Sequence, residues 1–220
     1  TTTHLFEYNN EGKVSKYTYV LPYDEMQGPR NVISTYHYGA NGKISTEDRI
    51  PSTNTGGKPI KGTYTYTTDG KLESLEYKDL SGKVTLRLDY QYSDKTVVLK
   101  ITTENDPELK TCRINFGEDG NITRMEQQIS PTQYAVSVEA LKYDINPNAF
   151  STITGMESLY VAKGDIFNGI LTKNNIVSYS FPAIGKTINV LCKYNEYGYI
   201  TEYGYLISDR DGYVFTYENY

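Results

Sequence analysis

One seven-residue pattern returns five times along this chain and constrains its fold more than any other feature. Each copy begins with an aromatic residue, has glycine in fifth place and ends with an aliphatic residue. The copies are YNNEGKV (8–14), YGANGKI (38–44), YTTDGKL (66–72), FGEDGNI (116–122) and YNEYGYI (194–200). Asn or Asp in a turn bonds its own backbone two residues on, and glycine adopts the left-handed conformation that other residues resist. The pattern therefore predicts a type I turn closed by a glycine bulge, the loop of a β-hairpin.

The spacing also predicts which residues of each copy face each other. In this hairpin geometry Tyr8 lies opposite Val14, and the other four copies pair in the same way. An aromatic residue opposite an aliphatic one contributes about 0.2–1 kcal/mol. Two weaker copies, which end at Val84 and Val214, keep the glycine and the aliphatic residue without the aromatic one. Each copy is therefore expected to fix the register of its own hairpin.

One position of the repeat does not fit a regular strand. The residue four places after the glycine would share the face of the aliphatic residue, where burial is expected. Polar residues occupy this position in every full copy: Lys16, Thr46, Ser74, Arg124 and Glu202. The pattern therefore predicts a half-wetted sheet, that is, one whose inner face is partly exposed to water.

Between the turns, apolar and polar residues alternate as they do in half-buried strands. Leu86, Leu88, Tyr90 and Tyr92 share one face, and Val97, Leu99 and Ile101 repeat the alternation. The runs between turn signals indicate about 14 strands, most of them joined by tight hairpins. We therefore expect a single all-β domain over residues 1–220. Its fold would be an antiparallel up-and-down meander, strongly curved or closed into a barrel; the family resemblance described below implies that such a barrel is porin-like.

Residues 144–173 break this rhythm. They show no alternation between turns, and a short helix is expected near Met156 to Ala162. A stretch of this length without hairpins inside a β domain usually covers something. We therefore expect an irregular cover segment that packs across an open end or face of the sheet.

Charge and composition exclude several classes of protein. The net charge of −5 is spread without a basic stripe, which argues against nucleic acid as a partner. Cys112 and Cys192 are too few for a disulfide scaffold or a zinc site, so core thiols are expected, with one disulfide as the alternative. No apolar run is long enough for a transmembrane helix, and short, interrupted apolar faces argue against a membrane-embedded barrel. The abrupt start, TTTHLFEY, is typical of a mature or trimmed chain, so a secretion signal upstream is compatible with it.

Few residues indicate catalysis. His4 and His37 are the only histidines, and neither belongs to a recognisable catalytic motif. The acidic pairs Asp24-Glu25, Glu47-Asp48 and Asp209 with Asp211 would serve a glycosidase only if two carboxylates met across a cleft. We therefore assign no catalytic residue, no metal ligand and no cofactor.

Tyrosine is the unusual component, with 23 copies and no tryptophan. Most tyrosines fall on alternating strand positions, where sheet packing explains them. Two do not: Tyr23 follows a proline in a loop, and Tyr197 occupies the tip of a hairpin turn. Exposed aromatic residues of this kind favour a binding surface. Tyr23 and Tyr197 are therefore the candidate ligand-binding residues.

The sequence resembles two families. The hairpin pattern is similar to the YD repeats of large bacterial secreted shell proteins. Most of the chain looks like a Bacteroidetes family of secreted lipoproteins of unknown function with a porin-like fold, which tends to show Tyr-Asp, then Asn-Pro-Phe, then Asn-Asn before a strand. Here the matching pairs are Tyr143-Asp144, Asn146-Pro147 and Asn174-Asn175, with Phe150 two residues late. The resemblance implies export, a lipid anchor upstream of Thr1 and no catalytic residues.

Three hypotheses for function follow. The first is a non-catalytic exported protein, at the cell surface or in the periplasm, that binds a glycan or an envelope protein; its only tie to the membrane would be the lipid anchor. The second is a carbohydrate-active hydrolase that uses paired carboxylates. The third is a structural or assembly module whose sheet edges pair with a partner.

Overall fold

The fold is an antiparallel meander of β-strands. A computed structural model of the chain describes residues 3–20, 30–52, 57–104, 106–148, 172–198, 200–205 and 212–214. Fifteen strands lie in one sheet in sequence order, β1 to β15, and each strand is hydrogen-bonded to its neighbours in the sequence. The all-β meander is confirmed, with one strand more than the approximate number expected. In the described part of the chain the sheet is not closed, so a closed barrel is not observed there.

The strands take up most of the described chain. Their bounds are β1 Thr3–Tyr8, β2 Val14–Val20, β3 Asn31–Tyr38, β4 Ile44–Pro51, β5 Ile60–Tyr66, β6 Leu72–Asp79, β7 Val84–Ser93, β8 Thr96–Thr103, β9 Asp106–Phe116, β10 Ile122–Ser130, β11 Gln133–Pro147, β12 Asn174–Phe181, β13 Lys186–Tyr194, β14 Ile200–Tyr205 and β15 Gly212–Val214. A 3-10 helix, Pro182–Ile184, joins β12 and β13.

The strands form two compact units, each with a core of its own. The described part of the first unit runs to Gln91 and includes Leu99–Thr111; that of the second comprises Tyr92–Val98 and the chain from Cys112 onward. The first core is rich in tyrosine: Val14, Tyr17, Tyr36, Ile44, Tyr64, Leu75, Tyr77, Leu88 and Tyr90. The second is more aliphatic: Ile114, Ile122, Met125, Val138, Ile176, Tyr179, Val190 and Ile200.

All five hairpins have the register that the sequence predicts. The facing pairs are Tyr8 with Val14, Tyr38 with Ile44, Tyr66 with Leu72, Phe116 with Ile122 and Tyr194 with Ile200. In each turn the amide of the glycine at the fifth place of the repeat donates to the carbonyl three residues earlier, as in Gly12 N to Asn9 O at 2.9 Å. Gly12 has a φ of 70°, a conformation in which any Cβ would be strained. The glycine therefore closes the turn for a steric reason.

The polar residue that bridges each turn occupies one of two places. In the first hairpin it comes first: Asn9 Oδ1 accepts hydrogen bonds from the amides of Glu11 and Lys13, each at 3.0 Å. In the fourth hairpin it comes third: Asp119 Oδ1 accepts from the amide of Asn121 at 3.0 Å. That carboxylate folds back over Gly117, where a Cβ would lie 2.8 Å from Asp119 Oδ1. The position of the Asp119 carboxylate therefore explains the first glycine of FGEDGNI, Gly117.

A second bulge immediately behind each turn explains the polar position of the repeat. The register skips the residue after the aliphatic one, because Tyr8 faces Val14 whereas Glu7 faces Lys16. The hydroxyl of the skipped Ser15 donates to the carbonyl of Glu7 at 3.2 Å. The equivalent Ser45, Thr85 and Thr123 make the same bond. A bulge shifts the alternation of faces by one residue, so the polar residues do not lie on the buried face: the next buried residue comes three places after the aliphatic one.

Tyrosine hydroxyls tie one hairpin to the next. Tyr38 donates to the carbonyl of Val14 at 2.7 Å, and Tyr66 donates to that of Ile44 at 2.8 Å. The amine of Lys43 lies 5.5 Å from the centre of the Tyr66 ring, within the range of a cation–π interaction. The hydroxyl therefore gives tyrosine an advantage over phenylalanine at the first position of the repeat.

The prediction that an irregular cover segment begins at residue 144 is wrong. Residues 144–147 continue β11, which ends at Pro147. They remain in the sheet because β11 pairs with β12 up to Pro147 and Asn174. The rest of that segment, including the helix expected near Met156 to Ala162, lies outside the described residues, apart from Asn148, Thr172 and Lys173.

Gly117→Ala tests the turn geometry. We expect a loss of about 1–2 kcal/mol in the free energy of unfolding, because the added methyl group displaces the Asp119 carboxylate from its hydrogen bonds. Chemical denaturation of the single variants and the double variant with Asp119→Ala measures the coupling. Strictly additive losses would contradict the proposed contact.

Tyr66→Phe tests the tie between hairpins. The ring remains, and the carbonyl of Ile44 loses its phenolic donor, so we expect a loss of about 0.5–1.5 kcal/mol in unfolding free energy. Tyr197→Phe is the matched control, because its ring is exposed and the change should stay within about 0.5 kcal/mol. Equal effects of the two changes in denaturant melts would refute the tie.

Candidate functional site

Tyr197 is presented to solvent on a hairpin turn between β13 and β14. It is 76% exposed. Its backbone amide donates to Asn195 Oδ1 at 3.0 Å, which fixes the turn that carries it. Tyr23, the other candidate residue, lies outside the described residues.

The acidic pair Glu47-Asp48 does not form a catalytic pair. The two residues are adjacent on β4 and face opposite sides of the sheet, with Glu47 fully buried. Asp48 lies on the solvent side, where its Oδ2 is 2.9 Å from His37 Nε2. This arrangement places His37 on the exposed face of the sheet. The pairs at 24–25 and at 209 and 211, and the His4 side chain, lie outside the described residues.

Metal ligands and membrane-spanning helices were also sought in the described part of the chain. No group of three or more His, Cys, Asp or Glu side chains there is arranged to hold a metal ion. No helix among those residues is both long and apolar enough to cross a membrane.

Asn121 marks a polar junction in the second unit that sequence reasoning did not single out. It stands where the first three hairpins carry lysine after the turn glycine, and it is 4% exposed. Its Oδ1 accepts from the amide of Asn174 at 2.8 Å and from Thr172 Oγ1 at 3.3 Å. Its Nδ2 donates to Asn174 Oδ1 at 3.1 Å. In the sequence, the replacement of lysine by asparagine at this place of the repeat marks the junction. The buried site requires a neutral side chain that both donates and accepts hydrogen bonds, as an amide does.

The two asparagines at the start of β12 bind the end of β11. Asn174 Nδ2 donates to the carbonyl of Asn146, and Asn175 Nδ2 donates to that of Pro147, both at 3.1 Å. We call Asn121, Asp144, Asn174, Asn175 and Tyr194 the asparagine clamp. It brings together all three residue pairs on which the family resemblance rests.

Asp144 is the charged member of the clamp. Its Oδ1 accepts from the amide of Asn146 at 3.0 Å, and its Oδ2 accepts from the hydroxyl of Tyr194 and, at 3.4 Å, from Asn175 Nδ2. Burial raises the pKa of this carboxyl, and the hydrogen bonds from Asn146 and Asn175 oppose that rise. These three partners are all neutral donors that also hold the strand ends, so the arrangement positions backbone rather than a reacting group.

The two cysteines are free thiols in the second unit. Burial raises the pKa of Cys112. Burial, with a smaller contribution from the charge of Asp144, raises that of Cys192 to about 12. A thiol is nucleophilic as the thiolate, so these cysteines are poorly suited to nucleophilic catalysis near neutral pH.

Glu47 is the centre of a buried polar cluster in the first unit. It occupies the buried position behind the turn bulge, where the other hairpins have Tyr17, Leu75 and Met125. Its Oε2 accepts from Tyr64 OH at 2.7 Å and from Tyr77 OH at 2.5 Å. We call Ser34, Tyr36, Glu47, Tyr64 and Tyr77 the Glu47 cluster.

Gly62 allows Tyr77 to reach Glu47. Gly62 lies on β5, between the strands of these two residues, and a Cβ there would be 2.9 Å from Tyr77 Cε1. Burial raises the pKa values of Tyr64 and Tyr77 well above the ordinary value for a phenol. Both hydroxyls therefore remain protonated donors to the carboxylate at neutral pH.

Comparison with solved structures gives a likeness of fold alone. The chain is similar to a porin-like protein from Bacteroides uniformis, with 16% sequence identity and a TM-score of 0.43, over 92% of this chain and 80% of that one. No family model and no curated protein matches the sequence. A likeness this weak carries nothing about activity or ligands, so the lipid anchor and the relation to YD repeats stay predictions.

Asp144→Asn tests the electrostatics of the clamp. Because the pKa of Asp144 is raised in the native state, that state binds more protons than the unfolded chain at pH values between the unfolded and the native pKa, so stability falls as pH rises through the raised pKa. In Asp144→Asn we expect a smaller loss of melting temperature as pH rises above about 4. Asp94→Asn, at an exposed turn, is the control and should keep the wild-type pH profile. A variant profile that matches wild type would contradict the assignment.

Proposed function

We propose that this protein is a non-catalytic exported protein, at the cell surface or in the periplasm, that binds a glycan. The observation that carries the proposal is Tyr197, 76% exposed on a turn held by Asn195. Sugars stack on aromatic faces, and a ring on a fixed turn loses little conformational freedom when a ligand binds. Export and a lipid anchor rest on the family resemblance, three of whose matching residues, Asp144, Asn174 and Asn175, belong to the asparagine clamp.

The arrangement of acidic groups supports a binding role over hydrolysis. A glycosidase needs two carboxyl groups about 5–10 Å apart across a cleft. In the described residues Glu47 is enclosed by phenols while its neighbour Asp48 faces solvent. A small cavity in the second unit is lined mainly by apolar residues, including Ile122, Val138 and Ile176, and no acidic residue is among its lining.

Tyr197→Ala tests the binding role. A thermal-shift screen against polysaccharides and host glycans identifies a ligand, because binding to the native state raises the melting temperature. For that ligand we expect the variant to lose at least about tenfold in affinity, as the loss of a stacked aromatic anchor does. Leu80→Ala is the matched control, since Leu80 is 83% exposed on another hairpin turn. Unchanged affinity in Tyr197→Ala would refute the site.

An assembly role is the second candidate. β1 is the first strand of the sheet order and has one neighbour among the described strands, so its outer edge is available for pairing. Light scattering that shows a monomer at every concentration would argue against self-assembly. A glycan screen without any shift would favour a protein partner.

A further inference from the structure

The Glu47 cluster places a carboxylate out of contact with bulk solvent. Glu47 and Ser34 are fully buried, and Tyr36 is 4% exposed. Isolated buried charges are costly unless they are paired or bind a metal ion. Among the described residues, no lysine, arginine or histidine forms an ion pair with Glu47. The two phenols that donate to Oε2 only partly replace such a partner.

Three buried oxygen atoms of the cluster have no hydrogen-bond partner among the described residues. They are Ser34 Oγ, Tyr36 OH and Glu47 Oε1. Tyr36 and Glu47 are directly opposite each other on β3 and β4, which places their Cβ atoms about 4.5–5.5 Å apart. Ser34 lies two residues before Tyr36 and so shares its face. Strand register therefore brings all three side chains to one side of the sheet.

We propose that Ser34, Tyr36 and Glu47 bind one monovalent metal cation of the sodium or potassium class. Oxygen ligands without nitrogen or sulfur select hard cations. One carboxylate balances one positive charge, whereas calcium takes six to eight oxygen ligands and magnesium usually keeps several waters. The phenols of Tyr64 and Tyr77 hold the other carboxylate oxygen, which fixes the direction of Oε1. This site is independent of the glycan-binding surface at Tyr197.

Cation exchange at constant ionic strength tests this proposal. Melting of the full chain is followed while choline chloride is replaced by sodium or potassium chloride. Choline carries its charge on a nitrogen enclosed by carbon groups, which oxygen ligands cannot coordinate, so we expect a rise of about 2–4 °C once the metal exceeds its dissociation constant several-fold. Identical melting in sodium, potassium and choline would overturn the proposal, and a bridging water would then explain the three oxygens.

Variants test whether a metal-dependent rise in melting temperature arises at the Glu47 cluster. In Glu47→Gln we expect the metal dependence to disappear. Should that variant fail to fold, Ser34→Ala removes a neutral ligand and should move the shift to higher metal concentration. Ser45→Ala is the control, because this hydroxyl on the same hairpin bonds the carbonyl of His37 outside the cluster. A thallium-soaked crystal with an anomalous peak beside Glu47 would support the site, and a Ser34→Ala response equal to wild type would refute it.

Discussion

The turn glycine and the bulge behind it determine the structure of this protein. The glycine reverses the chain in a conformation that other residues resist. The bulge then moves the buried face by one residue, and a serine or threonine hydroxyl satisfies the carbonyl that faces it. Each hairpin therefore carries its own register, and successive hairpins are joined by tyrosine hydroxyls. A long meander built from such units needs few distant contacts to set its strand order.

Two departures from the repeat identify the two polar sites. Glu47 replaces an apolar or aromatic residue at the buried position, and Asn121 replaces lysine after the turn glycine. Both are buried, and both are surrounded by groups that arrive from other strands. A buried polar group is costly unless it is satisfied, so each substitution requires partners, which the neighbouring strands supply. Repetition thus provides the frame, and the exceptions carry the polar chemistry.

The local features of the fold were predictable, and the non-local ones were not. Facing pairs such as Tyr8 with Val14 follow from turn geometry within seven residues. The bulge at Ser15 was missed because its signal is a hydroxyl that bonds across the strand pair, a contact that alternation alone does not reveal. The clamp was missed as a site because Asn121 and Asn174 are far apart in sequence. Nothing in the position of Glu47 along the chain shows that Tyr77 passes over Gly62 to reach it.

The sequence by itself determined the hairpins, their register and the all-β meander, because these depend on turn residues and neighbours a few positions apart. It also placed Tyr197 at a turn tip, where exposure follows from the turn. Only the tertiary structure decided that Glu47 is enclosed by phenols and that Asp144 is held by Tyr194 and Asn175. The physical reason is that burial and hydrogen-bond partners are set by strands brought together by pairing, which no local pattern specifies.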